Sequence, residues 1–212
     1  MEGHLELIKK LISKQKLTSK VLLINPKPDI NLRNLSLSHQ IDVLDKNIEI
    51  LNYYATQGAK NIFASLNGGL LPIKTEEYEL VIMFPNSIES VKSQVQIISE
   101  INRISKKSLI FFQNGATLKK RLNFLFNGTI DKNLQETLTS KRYFSYSQIQ
   151  YLIYKAGFTY EICFAKVGDF FISTKKLGYF FTLKSEEFAF YRDSENTVKI
   201  TSGKSLLNIV QP

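Results

Sequence analysis

The densest run of chemically active side chains is cationic. Arg103, Lys106, Lys107, Lys119, Lys120 and Arg121 fall within Ile101 to Ile130, a stretch with no acidic residue. Such a cluster can hold phosphate, a nucleic acid or an acidic protein; it can equally be the solvated end of a helix and its loop. Phe124 and Phe126 beside it offer either stacking faces for bases or ordinary core packing. A second basic stripe, Lys9, Lys10, Lys14, Lys16 and Lys20, is partly offset by Glu2 and Glu6. Basic charge sets attraction and on-rate and leaves the partner's identity open.

Other reactive side chains are few. Cys163 sits in Glu161-Ile-Cys-Phe-Ala165 with no histidine nearby, the setting of a small buried thiol and not of a nucleophile. A single cysteine excludes an internal disulfide, and with two histidines it leaves too little for a Cys/His zinc site, so no metal is expected. His4 and His39 lie in a terminal segment and a loop, and neither is assigned a catalytic role. Walker, His-Glu-x-x-His, paired-cysteine and Gly-x-Ser-x-Gly motifs are all absent, and no catalytic residue can be named.

The elements that must position these groups follow from hydrophobic periodicity. At 43% hydrophobic and 12% aromatic, 212 residues can bury a core, which excludes a disordered tail despite the net charge of +9. Leu5, Ile8, Leu11 and Ile12 predict an amphipathic opening helix. Val21-Leu-Leu-Ile24 predicts a buried strand that stops at Asn25-Pro-Lys-Pro-Asp29. A second segment, Ile41-Asp-Val-Leu44, leads into a helix over Asp45 to Tyr54 closed by Gly58. Asn61–Ala64 and Tyr78–Phe84 read as strands, Asn67-Gly-Gly69 as a turn, Ile88 to Ile104 as a helix and Ser108–Phe112 as a buried strand. Strands alternating with helices imply an α/β fold with a mainly parallel sheet covered on both faces. Further on, Tyr146 to Lys155 is a helix, and Phe158–Phe164 with Asp169–Thr174 forms an antiparallel pair.

The expected division is an N-terminal helix over 1–20, a main domain over 21–174 and a β-rich C-terminal appendage over 175–212. The appendage rests on Tyr179–Thr182, Phe188–Tyr191 and Val198–Thr201. No apolar stretch approaches the roughly 20 residues needed to cross a bilayer. The opening segment lacks the features of a secretory or mitochondrial signal, so a cytoplasmic location is expected and the sequons at Asn34 and Asn127 carry no weight.

In its order of segments, the chain over about residues 15–172 resembles the class I S-adenosylmethionine-dependent methyltransferases. Three motifs carry the likeness. Leu71-Pro-Ile-Lys-Thr-Glu-Glu-Tyr-Glu-Leu-Val-Ile82 is similar to that family's "Leu-Pro-Phe, acidic linker, Phe-Asp-Leu-Val" segment. Glu100-Ile-Asn-Arg-Ile-Ser-Lys-Lys-Ser-Leu-Ile110 resembles its helix-to-strand passage without the glycines. Tyr143-Phe-Ser to Lys155-Ala-Gly-Phe158 resembles its approach to the last two strands. The resemblance implies a Rossmann-like three-layer sandwich with a seven-stranded, mainly parallel sheet whose last strand is antiparallel. It also places Asn25 and Lys27 in the cofactor loop, Asp45 at the ribose, and Asn67 or Gly68 beside the adenine.

One departure outweighs these matches. The family's loop after the first strand is glycine-rich, which lets backbone amides approach the cofactor. Here that loop has no glycine, and Pro26 and Pro28 each remove a donor and fix φ. Asp45, just before a helix, suits an N-cap as well as a ribose ligand. Three functions follow from this pattern: a methyltransferase-like, non-catalytic binding or scaffolding subunit that takes a protein partner and no cofactor; an active enzyme using S-adenosylmethionine through an atypical loop; or a nucleic-acid-binding module with the 103–121 cluster as its footprint.

Overall fold

The computed structural model describes residues 2–15, 20–28, 30–32, 40–63, 66, 70–85, 87–89, 91–115, 117, 122, 125–126, 144–174 and 185–194. Within them lie four helices and eight strands. In chain order these are α1 (Glu2–Gln15), β1 (Val21–Ile24), β2 (Ile41–Asp45), α2 (Ile48–Ala55), β3 (Lys60–Phe63), β4 (Tyr78–Met83), α3 (Gln94–Ile104), β5 (Ser105–Gln113), α4 (Tyr146–Lys155), β6 (Ile162–Val167), β7 (Phe170–Ser173) and β8 (Glu187–Asp193).

The strands form one sheet in the order β3-β2-β1-β4-β5-β8-β6-β7. β3, β2, β1, β4 and β5 are mutually parallel, which brings their carboxyl ends to one edge. β8 enters antiparallel between β5 and β6, and β7 pairs antiparallel on the far side of β6. This is the expected Rossmann-like, mainly parallel sheet with its antiparallel final strand, extended by the short edge strand β7.

The alternation of side chains along each strand builds two cores. Leu22, Ile24, Val81, Met83, Ile110, Phe112, Phe188 and Phe190 face α3 and α4, where Ile97, Ile98, Ile101, Ile149 and Ile153 are buried. Val21, Leu23, Val43, Leu80, Ile82, Leu109, Phe111 and Tyr191 face α1 and α2 through Leu7, Ile8, Leu11, Ile12, Leu51 and Tyr54. The two layers of helix therefore cover a sheet buried on both faces, as continuous apolar strands such as Val21-Leu-Leu-Ile24 require. Each fully buried Leu or Ile contributes roughly 1.5–3 kcal/mol of transfer free energy.

Local chemistry fixes several boundaries. A capping box between Ser145 and Gln148 starts α4, and Gly157 at φ 66° follows its end. α3 passes directly into β5 at Ser105, whose hydroxyl donates to the Ile101 carbonyl at 2.7 Å, so no glycine turn is needed there. The expected helix from Ile88 begins only at Gln94, because Ser87 to Glu89 form a turn beyond Pro85.

The C-terminal appendage is corrected in its described part. Phe188–Tyr191 belong to β8, inside the main sheet, with Leu109 opposite Tyr191 and Cys163 opposite Phe190. Their continuous apolar character reflects burial on both faces and not a separate β unit. Tyr179–Thr182 and Val198–Thr201 lie outside the described residues.

Candidate functional site at the carboxyl edge of the sheet

Open α/β sheets place ligands beyond the carboxyl ends of their strands. At the end of β1, Asn25 takes the left-handed conformation, φ 49°, and its amide donates to the Leu44 carbonyl of β2 at 2.9 Å. Asparagine is among the few residues that enter this region at modest cost, so it makes the turn that a glycine would otherwise make. Pro26 is buried, while Lys27 and Pro28 are exposed.

The peptide after Pro26 is held from inside the fold. The Lys27 carbonyl accepts from the Ile30 amide at 3.2 Å and from the hydroxyl of Tyr54, a fully buried side chain of α2. The Leu32 amide donates to Gln57 Oε1 at 2.8 Å, and Ile30 and Leu32 are themselves buried against the α1/α2 core. The loop is thus laid down on α2. Of residues 25–28, only Lys27 has an amide hydrogen that is neither absent by chemistry nor committed to the sheet.

Asp45 ends β2 and is buried. Its Oδ1 accepts from the Asn47 amide at 2.8 Å. Burial pushes its carboxyl above the usual range, against the opposing pull of the Asn47 and Lys46 amides. The helix cap is Asn47, whose side chain accepts from the Glu49 amide at 2.9 Å. The capping role read for Asp45 therefore passes to Asn47, because α2 starts two residues later than its periodicity predicts; Asp45 folds the turn leading into it. Asn67 and Gly68 lie outside the described residues.

The six-residue basic cluster does not come together as a patch in its described part. Arg103 Nε and Nη2 grip both oxygens of Glu100 at 2.9 and 2.7 Å. Its Nη1 and Nη2 donate to the carbonyls of Ile73 at 2.9 Å and Leu71 at 3.3 Å. Glu100 in turn accepts from the Leu71 amide at 3.0 Å. Arg103 is a clamp joining α3 to the segment before β4. The Glu100–Arg103 hydrogen bonds outweigh burial and hold the Glu100 carboxyl below its ordinary range. Lys107 is buried, with Asp193 of β8 at 3.8 Å. Lys106 is exposed, whereas Lys119, Lys120, Arg121 and Phe124 lie outside the described residues; Phe126 is exposed. The Arg103 clamp borders a shallow, mainly apolar depression of about 540 Å³ at the opposite, amino edge of the sheet, lined also by Leu70, Pro72 and Lys74.

Two polar features escaped sequence reasoning. Glu89, buried beyond β4, accepts from the Gln113 amide at 2.7 Å and ties the ends of β4 and β5 together. His4 of α1 is buried with its Nε2 2.7 Å from Glu187, which also has Lys166 Nζ at 3.5 Å. Burial pushes the Glu187 carboxyl up, but the His4 and Lys166 contacts outweigh it and hold it below its ordinary range. The partners in each case are far apart in sequence, and no spacing signal connects them. Cys163 is buried and its thiol is pushed up to about 12 by burial, which agrees with an inert side chain.

Neither family models nor curated proteins match this sequence. Solved structures do match it. A SAM-dependent methyltransferase of Thermotoga maritima superposes over 91% of this chain and 89% of its own, with TM-score 0.58 and 13% identity. Another from Clostridium acetobutylicum gives 90% and 89%, TM-score 0.60 and 11% identity. This chain has the class I methyltransferase fold. A third structure with the same fold, from Haloferax volcanii, is a methyltransferase in complex with the Trm112 methyltransferase activator; it covers 91% of this chain and 90% of its own, with TM-score 0.61 and 10% identity. Within this methyltransferase fold, the β1 loop stands where the family resemblance places the cofactor cradle. The residues present do not fit that role: two prolines and an amide bonded to β2 replace the donors that a glycine loop would turn toward the cofactor. No helix among the described residues is long and apolar enough to cross a membrane.

Proposed function

We propose that this chain is a methyltransferase-fold protein whose S-adenosylmethionine site has degenerated, and that it serves as a non-catalytic binding or scaffolding subunit of a larger assembly. The observation that carries this reading is the β1 loop. It is fastened to α2 through the Tyr54 hydroxyl and the Lys27 carbonyl, and it presents almost no backbone donor at the carboxyl edge. A protein partner agrees with the Haloferax structure, in which a chain of this fold is bound to an activator protein. Isothermal titration with S-adenosylmethionine and S-adenosylhomocysteine tests the reading. Heats indistinguishable from dilution are expected, and saturable micromolar binding abolished by Asp45→Ala in a folded variant overturns it.

An active methyltransferase with an atypical loop is the second reading, and two observations favour it. Asn25 preserves the left-handed turn, and the Asp45 carboxylate still stands at the end of β2. The nucleic-acid module loses support, because Arg103 and Lys107 are engaged within the fold.

A further inference from the structure

The two outer strands of the sheet are guarded differently. β3 and β7 end the strand order, each with a single neighbour. β3 begins with exposed Lys60, a charge that keeps other strands from adding to that edge. β7, Phe170-Phe-Ile-Ser173, holds no charged residue, and its outer row of backbone groups has no partner among the described residues. Phe170 on that strand is 60% exposed. The strand is nevertheless fixed on its other face, where Phe171 packs on the α1 side, edge-on to His4 and Phe111 with ring centroids 5.2 and 5.5 Å away. The edge is therefore fixed, apolar and open, the combination to which a further strand adds.

We propose that β7 pairs antiparallel with β7 of a second copy of this chain, joining the two sheets across a two-fold axis. Charge favours a copy at this edge. The sequence that builds β6, β7 and β8, Glu161 to Asp193, holds five acidic and five basic residues, whereas the whole chain has a net charge of +9. Two copies therefore repel each other least where these edges meet, and an acidic partner is drawn to other parts of the surface. The strand is also self-complementary. A two-fold axis through Phe171, perpendicular to the sheet, sets Phe170 of each copy directly opposite Ile172 of the other, on the face away from α1. Each exposed Phe170 ring then gains an apolar neighbour on its own face. Asp169, the exposed acid before the strand, falls opposite Ser173 and meets no like charge. Four residues of pairing make a small interface, so the association is weak and concentration-dependent. The pairing is independent of the cofactor site, since binding of S-adenosylmethionine or its absence leaves the β7 edge as it is.

The test is sedimentation velocity of the whole chain from about 5 to 500 μM, a span that brackets weak association, with amide hydrogen exchange at both ends of that range. The variant F170K puts a charge on the edge. It is compared with Y154K, which places the same charge at another exposed aromatic, Tyr154 of α4, 77% exposed. Neither side chain is buried, so both variants are expected to fold, and thermal unfolding verifies it. The expected result is a mass that climbs toward twice that of one chain, with slower exchange at Phe170 to Ser173 at the higher concentration. F170K should raise the dissociation constant at least about tenfold and Y154K less than about twofold. A chain that stays monomeric at every concentration overturns the proposal, whether the edge is then covered by other residues of this chain or by a different protein. So does self-association that F170K weakens no more than Y154K, or protection gained at Lys60 to Phe63 in place of β7. The exchange result comes from the unaltered protein and decides the matter if F170K fails to fold.

Discussion

Tyr54→Phe removes one oxygen atom from the link between α2 and the β1 loop and leaves the buried ring in place. Tyr54 is 0% exposed, so its hydroxyl has exchanged water for the Lys27 carbonyl, and the substitution opens no cavity of consequence. The carbonyl keeps its second donor, the Ile30 amide at 3.2 Å, and is not wholly orphaned. The cost therefore falls near the middle of the range for a single hydrogen bond, about 1 kcal/mol, and not at the larger penalty for a stranded buried group. For a chain of this length, that corresponds to a fall in melting temperature of about 2–4 °C. Urea unfolding gives the free energy, and amide hydrogen exchange locates it: protection should drop first at Ile30, whose amide closes the same turn, and in β1 and β4 by no more than the global loss. A variant as stable as the parent within about 0.3 kcal/mol, with Ile30 still protected, refutes the claim that Tyr54 fastens the loop.

Four other outcomes follow from the same contacts. Arg103→Ala should destabilise by about 2–4 kcal/mol in urea unfolding, because it strands the buried Glu100 carboxylate and two carbonyls, and Arg103→Lys should recover little since an ammonium cannot reproduce the fork. Gly3→Ala should lower stability by about 1–3 kcal/mol, since a Cβ there would lie 1.9 Å from the Asp169 carbonyl oxygen and the backbone would have to shift; thermal unfolding measures it. Glu187 has a folded pKa below its ordinary 4.5, so its contribution is fully present above that value and disappears as pH falls through the folded pKa; Glu187→Gln should flatten the loss of stability measured on acidification below pH 4.5. Cys163 should resist a thiol-specific chromogenic disulfide reagent at pH 8 until the chain is unfolded.

Much of the scaffold is legible in the order of residues. Val21–Ile24 and Tyr146–Lys155 coincide with their expected bounds, because in both cases a clear apolar pattern is closed by local chemistry: an Asn-Pro break in one, a capping box and a glycine in the other. β5 runs longer than its apolar stretch because Ser105 and Lys107 find partners along β4 and β8 that their polarity does not announce. The place of β8 was illegible for a different reason. Nothing in Glu187–Asp193 itself specifies insertion between β5 and β6; that order is decided by tertiary pairing between segments some 75 residues apart, such as Phe112 with Phe188.

At the site, the missing glycine and the two prolines were visible, and they suffice to forecast a poor cradle. Their consequence in space was not. Asn25 in the left-handed region and Tyr54 beneath Lys27 are products of packing between β1, β2 and α2. Of the two roles that Asp45 suits by sequence, the cap belongs to Asn47, two residues on, which offers the same type of oxygen at the position where the helix begins. Neither reading of the cationic cluster, a patch or a solvated helix end, foresees the Arg103 clamp, because its acceptors, the carbonyls of Leu71 and Ile73, lie about thirty residues upstream.

A titration of isotopically labelled protein with S-adenosylhomocysteine, followed by amide chemical shifts, bears most directly on the closed loop. The account predicts that the amides of Asn25, Lys27 and Asn47 do not move with added ligand. Saturable, concerted shifts at those three amides would contradict it.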